Sequence, residues 1–276
     1  DPMNFSNKFN RAIDQNNSFV CVGLDPDPAR IPRHLQTEAN PVLTFGREIV
    51  QATQDLVCAY KPNFAFYGAL GKLGWEALEG ILDTIPESIP VILDFKAGDI
   101  GNTAERYAAM AYDCLGVDAT TVNPLMGTDA VEPFLAYSNK CAFLLCLTSN
   151  SGSADFQRLQ VGDGFFYETL IRKATTWSQT GPCGLVVGAT HPEELAGIRT
   201  LAPHLPILLP GVGSQGGEAE AIVQNGLDDQ GRSILVNSSR SILYASNGPD
   251  FVDAARQATE TLRQTLNRAR PEAVNA

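Results

Sequence analysis

Eight short apolar runs recur along the chain, each followed by a longer amphipathic stretch, and this alternation limits the possible folds more than any other feature. The runs read as strands over 19–24, 58–62, 91–95, 119–122, 142–147, 184–187, 207–210 and 233–237. Their starts lie about 23 to 42 residues apart, which leaves room for the crossover helix that joins two parallel strands. Helical periodicity fits 41–55, 74–84, 104–116, 131–137, 165–180, 192–201, 218–225 and 250–267. Thr190 is a candidate cap for the helix at 192, with Pro192 and Glu193 in its first turn. The first three strands are nearly unbroken apolar runs, the pattern of a parallel sheet buried on both faces. Eight βα units in 276 residues predict a TIM (β/α)8 barrel. An open doubly wound sheet uses the same alternation and is the alternative.

Such a sheet needs a large core, and 44% hydrophobic residues over this length supply one. We read a single domain over 1–276, with Asp1-Pro2 ahead of Met3 as an appended remnant and 270–276 as a frayed tail. No apolar stretch reaches the length of a membrane span and no signal-type segment opens the chain, so a cytoplasmic protein is expected. The six cysteines (Cys21, Cys58, Cys114, Cys141, Cys146, Cys183) are scattered, mostly within apolar runs, and read as buried free thiols. His34, His191 and His204 lie far apart, which argues against a histidine-based metal site. A formal charge of −11 argues against nucleic acid and anionic membranes as partners. It also gives weight to the few basic residues at strand ends, because an anionic ligand must overcome the overall field.

The third strand ends in an unusual set of charges. Asp94 and Lys96 stand two apart, so on a regular strand they project to the same side, and Asp99 follows one short turn later. Charges of mixed sign at the end of a core strand are costly unless they pair or act. A structural ion-pair network is the plain alternative to catalysis. In a TIM barrel, chemistry gathers at the C-terminal ends of the strands. Those ends carry Asp25 after the first strand, Lys61 and Asn63 at the second, and Asn123 after the fourth. Thr148-Ser149-Asn150 follow the fifth, and Asn237-Ser238-Ser239-Arg240 close the eighth. Together they describe a catalytic pocket better than they describe ordinary loops.

The seventh strand runs into Gly211-Val212-Gly213-Ser214-Gln215-Gly216-Gly217. By letter this matches a dinucleotide fingerprint, but that motif normally belongs to the first βαβ unit of a nucleotide fold. A phosphate cradle fits better. Glycines let backbone N–H groups approach an anion, and TIM barrels hold phosphate after the seventh and eighth strands. Arg240 would then supply a planar, bidentate partner. A tight turn, with Arg240 in a surface ion pair, is the alternative.

The string Leu93-Asp94-Phe95-Lys96-Ala97-Gly98-Asp99-Ile100-Gly101-Asn102-Thr103 resembles the signature of the orotidine 5′-phosphate decarboxylase family. The resemblance extends over about 19–240 and includes Asp25, Lys61, Ser149, Gln215 and Arg240. The stretch Lys61-Pro62-Asn63-Phe64-Ala65-Phe66-Tyr67 is similar to a longer bacterial subgroup (type 2), and Gly101 stands where many members carry proline. The resemblance implies that Lys61, Asp94, Lys96 and Asp99 form the catalytic array, with Lys96 protonating C6 of the pyrimidine and Asp94 beside the substrate carboxylate. It implies ribose binding by Asp25 and pyrimidine binding by Ser149. Phosphate binding would fall to Gln215, on a closing loop, and Arg240, with Gly211, Gly213 and Ser239 nearby. It further implies a homodimer in which Asp99, Ile100 and Thr103 reach the partner's site, no cofactor and no metal.

The implied reaction leaves a carbanion in the plane of the ring, out of reach of π delocalisation, and an ammonium fixed by carboxylates suits its stabilisation. The nearest rivals are magnesium-dependent sugar-phosphate decarboxylases and aldolases of the same superfamily, which share Asp-x-Lys-x-x-Asp but carry an acidic residue near the end of the second strand, where this chain has Lys61. A nicotinamide oxidoreductase and a non-catalytic phosphate-binding barrel are the more distant readings.

Overall fold

The computed structural model describes residues 4–188, 192–211 and 216–271. In chain order its strands are β1 (Val20–Leu24), β2 (Ala59–Pro62), β3 (Ile92–Ala97), β4 (Ala119–Val122), β5 (Cys141–Leu147), β6 (Gln160–Val161), β7 (Gly164–Phe165), β8 (Cys183–Val187), β9 (Ile207–Pro210) and β10 (Ile234–Ser238). All except β6 and β7 pair in one parallel sheet of order β2-β1-β10-β9-β8-β5-β4-β3. Parallel bridges Tyr60–Val91 and Asn63–Asp94 join its outer strands and close the ring. The result is the predicted TIM barrel, each of its eight strands within two residues of the expected position. Strands β1, β2, β4, β8 and β10 are buried along their whole length, as burial on both faces requires.

The outer layer contains α2 (Pro41–Thr53), α4 (Lys72–Leu82), α5 (Gly101–Ala109), α6 (Thr128–Leu135), α7 (Phe166–Trp177), α8 (Pro192–Leu201), α9 (Gly216–Gly226) and α11 (Phe251–Arg268). Asn40 starts α2 by accepting the Leu43 N–H on its side chain, with Pro41 in the first turn. The helix expected over 104–116 starts earlier, as α5, and gives way to a π-turn at Met110–Cys114. Cys114 in that turn is exposed, unlike the other five cysteines, which corrects the expectation of uniformly buried thiols. Thr190 and His191 lie outside the described residues.

Three helices lie outside the expected set: α1 (Phe5–Asn16), α3 (Phe64–Gly68) and α10 (Arg240–Leu243). Helix α1 packs at the N-terminal end of the barrel. Its Phe5 meets Phe143 of β5 edge-on at 5.6 Å. Its Lys8 pairs at 2.9 Å with Asp118, which also accepts the Val91 N–H. Asn16 donates to the carbonyls of Gln54 and Val57 just ahead of β2. The opposite, C-terminal end is thus left as the open mouth. Buried Arg199 ties α8 to its neighbours by donating to the carbonyls of Gly226, Ala202, Leu205 and Ser233.

The segment after β5 folds back on the barrel rather than looping free. Gln157 accepts the Thr148 N–H at 2.7 Å, Arg158 pairs with Glu194 of α8, and β6 and β7 form a two-residue hairpin beyond. Phe156 and Leu159 stay exposed on it.

Candidate active site

The β3 strand carries the central residue and departs from regular geometry there. Leu93 pairs with Thr120 and Ala97 with Val122, so four steps along β3 face two along β4. The surplus is taken up by a bulge in which Lys96 sits at φ 48°. That left-handed conformation costs a residue with a Cβ on the order of 1–3 kcal/mol, so the surroundings must enforce it. Thr121 of β4 does so: its hydroxyl oxygen accepts the N–H groups of Phe95 and Lys96 at 3.1 and 3.0 Å.

Asp94 is held by three donors. Its Oδ2 receives Lys61 Nζ at 2.7 Å, and its Oδ1 receives Lys96 Nζ at 2.7 Å and the Thr121 hydroxyl at 2.9 Å. Lys61 is 4% exposed at its side chain and Asp94 9%, whereas Lys96 is 42% exposed. Burial pushes the Asp94 carboxyl up, but the two ammonium groups and their hydrogen bonds win and hold it well below the usual carboxylate range. For Lys61, burial works against the charged form, and Asp94 and Asp25 reverse it, leaving the ammonium above its ordinary value. Directly beneath, burial drives the Cys21 thiol up to about 12, so it is an inert neighbour.

A cavity of about 520 Å³ opens over Lys61 and Asp94 of this array, with Lys96 outside its lining, and is lined also by Asp25, Asn63, Gly211 and Arg240. Two residues of its lining each carry a buried acceptor without a hydrogen-bond partner, Asp25 Oδ1 and Asn237 Oδ1. Unpaired buried acceptors are costly, which makes these two residues candidates for a role beyond packing. Gly23 permits the close approach of the β10 end, because a Cβ there would stand 1.9 Å from the Ser239 hydroxyl. A larger cleft of about 860 Å³ lies alongside and shares Arg30 and Tyr244, but neither Lys61 nor Asp94 lines it.

The expected site residues divide into three groups. Lys61, Asp94 and Lys96 form one connected array, and Asp25, Gly211, Ser239 and Arg240 line the adjoining cavity. Ser149 is exposed just beyond the end of β5, outside that lining. Asp99 does not join the array within one chain: among the described residues, Lys96 pairs with Asp94 and not with Asp99. The Asp99 carboxylate instead accepts the N–H of Ile100, and Ile100 and Thr103 are exposed. Gly213 and Gln215 lie outside the described residues. Thr121 is an addition that no motif announced; the available signal was a polar residue inside an otherwise apolar strand. Among the described residues no group of three or more His, Cys, Asp or Glu is placed to hold a metal ion.

A (β/α)8 barrel with a lysine–aspartate–lysine array at the C-terminal ends of β2 and β3 defines a barrel enzyme that works by fixed charge on a small anionic substrate. The chain belongs to the orotidine 5′-phosphate decarboxylase / HUMPS family, whose model matches residues 18–257. A relative from Herpetosiphon aurantiacus named orotidine 5′-phosphate decarboxylase is 48% identical over 95% of this chain and 99% of its own length. One of the same name from an Azoarcus species is 48% identical over 96% and 99%. The solved structure of Leishmania donovani OMP decarboxylase superposes with a TM-score of 0.85 at 37% identity, covering 97% of this chain and 98% of that one.

Proposed function

We propose that this enzyme is a lyase that converts orotidine 5′-phosphate to uridine 5′-phosphate and carbon dioxide, a step of de novo pyrimidine biosynthesis. The observation that carries this reading is the Lys61–Asp94–Lys96 array in a chain 48% identical, over nearly its whole length, to decarboxylases of that name. The C6–carboxylate bond breaks, the electron pair stays on C6, and Lys96 Nζ delivers the proton. Asp94 stands beside the leaving carboxylate. Repulsion between two carboxylates about 4 Å apart amounts to only about 4 kcal/mol at an effective dielectric near 20. Enzymes lower barriers by roughly 8–23 kcal/mol, so stabilisation of the developing anion by Lys96 carries the larger share. Lys61 keeps Asp94 ionised, Asp25 and Asn237 accept from the ribose hydroxyls, Ser149 contacts the pyrimidine, and Arg240, with Gly211, Gly213, Gln215 and Ser239, holds the phosphate.

The protein acts as a single domain in the cytoplasm and as a homodimer with shared sites. The exposure of Ile100, and the lack of an Asp99–Lys96 pair among the described residues of one chain, support the shared site. So does the apolar strip beside them: Ile100 is 51% exposed, Met126 49% and Leu125 68%. Asp99, Ile100 and Thr103 would complete the partner's array.

The test is substrate choice. Purified enzyme in EDTA is offered orotidine 5′-phosphate, and in a second arm hexulose and keto-gulonate phosphates with magnesium. Loss of orotidine 5′-phosphate absorbance in the first arm supports the reading. Turnover confined to the sugar-phosphate arm would refute it.

A further inference from the structure

We propose that Thr121 is a positioning residue for the decarboxylation, holding the Lys96 ammonium and the Asp94 carboxylate in register through one hydroxyl. This inference rests on the reading of Lys96 as proton donor. A threonine hydroxyl offers one hydrogen and two lone pairs, and Thr121 uses all three on this site. It accepts from the N–H of Phe95 and the N–H of Lys96, and it donates to Asp94 Oδ1. That oxygen is the one that receives Lys96 Nζ.

The four groups therefore form a closed circuit: the Lys96 backbone to Thr121, Thr121 to Asp94, and Asp94 back to the Lys96 side chain. The bulge gives the circuit its purpose. On a regular ladder the N–H groups of β3 would find carbonyls on β4, but four residues face two here, and the side chain of Thr121 fills the gap. Lys96 is held in its left-handed conformation at the place where its two neighbouring N–H groups need that acceptor. Thr121 is buried at 1% exposure, so no water readily takes over its bonds. Thr120, one residue earlier, provides an internal contrast. Its hydroxyl donates to the Leu93 carbonyl at 2.8 Å, supporting the base of the same bulge without touching Asp94 or the Lys96 backbone.

Thr121→Val keeps the shape and removes the hydroxyl, Thr121→Ser keeps the hydroxyl, and Thr120→Val removes only the neighbouring support. For each we would measure kcat, KM and the affinity for uridine 5′-phosphate. A displacement of about 1 Å at a catalytic group costs on the order of 100-fold. Thr121→Val should therefore lose roughly 10- to 100-fold in kcat with KM and product affinity within about threefold, while Thr121→Ser and Thr120→Val stay within about threefold of wild type in kcat. Should Thr121→Val fail to fold, Thr121→Ser against Thr121→Ala makes the same comparison, serine active and alanine slow. The inference is overturned by unchanged kcat in Thr121→Val, by serine as slow as valine or alanine, or by Thr120→Val as slow as Thr121→Val. A wild type inactive on orotidine 5′-phosphate would remove the reading on which it stands. A wild type that turns over, alongside a fully active Thr121→Val, would remove this inference alone.

Discussion

Asp94→Asn should destabilise the protein more than loss of either lysine that Asp94 binds. Asp94 is the only carboxylate among the described residues within ion-pair distance of both Lys61 and Lys96. Replacing it leaves Lys61, 4% exposed at its side chain, as a buried charge with only the longer-range help of Asp25. Breaking a buried pair in this way costs about 3–5 kcal/mol. At an unfolding entropy near 2.1 cal/mol/K per residue, that is a fall of roughly 5–9 °C in Tm for a chain of this length. Lys61→Met should cost less, because Lys96 and Thr121 still hold the Asp94 carboxylate. The double variant should be less destabilised than the sum of the singles, since it removes both buried charges together. Urea unfolding of the four proteins at pH 7 gives the cycle directly. Additivity within about 0.5 kcal/mol would show that the two side chains are not coupled and refute the electrostatic account of the array.

Further predictions follow from the same geometry. Because the folded-state value of Asp94 is depressed, its contribution to stability is complete above the ordinary carboxylate range, near pH 4, and is lost as pH falls below it. The Tm gap between wild type and Asp94→Asn should therefore be constant from pH 5 to 8 and narrow below about pH 4; a gap that closes between pH 7 and 5 would contradict this. Arg199→Leu should cost about 3–5 kcal/mol in urea unfolding, since it takes the guanidinium donor from the buried carbonyls of Gly226, Ala202 and Leu205; a cost under 1 kcal/mol would mean that water replaces the guanidinium. Gly101→Pro should lower activity, because Gly101 sits at φ 56° and proline is fixed near −65°. An unchanged kcat would show that the turn from Gly98 to Gly101 adjusts freely.

The barrel was legible because both faces of its strands are buried, which leaves apolar runs that only a parallel sheet explains. Helix α1 carries a legible signal as well, Phe5, Phe9, Ala12 and Ile13 at helical spacing behind the Asn4 cap, but it lies ahead of the first strand and outside the strand–helix alternation that predicts the barrel. Helix α3 is five residues long, too short for periodicity to register. At the site, Lys61, Asp94 and Lys96 could be read from their positions at strand ends. The bulge could not, because it is a mismatch between two strands and no single segment contains it. Two-residue spacing correctly put Asp94 and Lys96 together, but through a left-handed residue rather than a regular pleat. Asp99 shows a further limit: one short turn separates it from Lys96 in sequence, yet among the described residues Lys96 pairs with Asp94 and not with Asp99.

The claim that this fixed-charge array performs the chemistry, with Lys96 as the proton donor, rests most directly on one comparison. Wild type and Lys96→Ala would each be given saturating orotidine 5′-phosphate in EDTA, with uridine 5′-phosphate affinity measured in parallel. Loss of a positioned general acid costs about 100- to 10,000-fold. We expect rapid conversion by wild type, a fall of at least about 1,000-fold in Lys96→Ala, and product affinity within about tenfold. Near-normal turnover by Lys96→Ala would contradict the account, because the proton and the stabilising charge would then come from elsewhere.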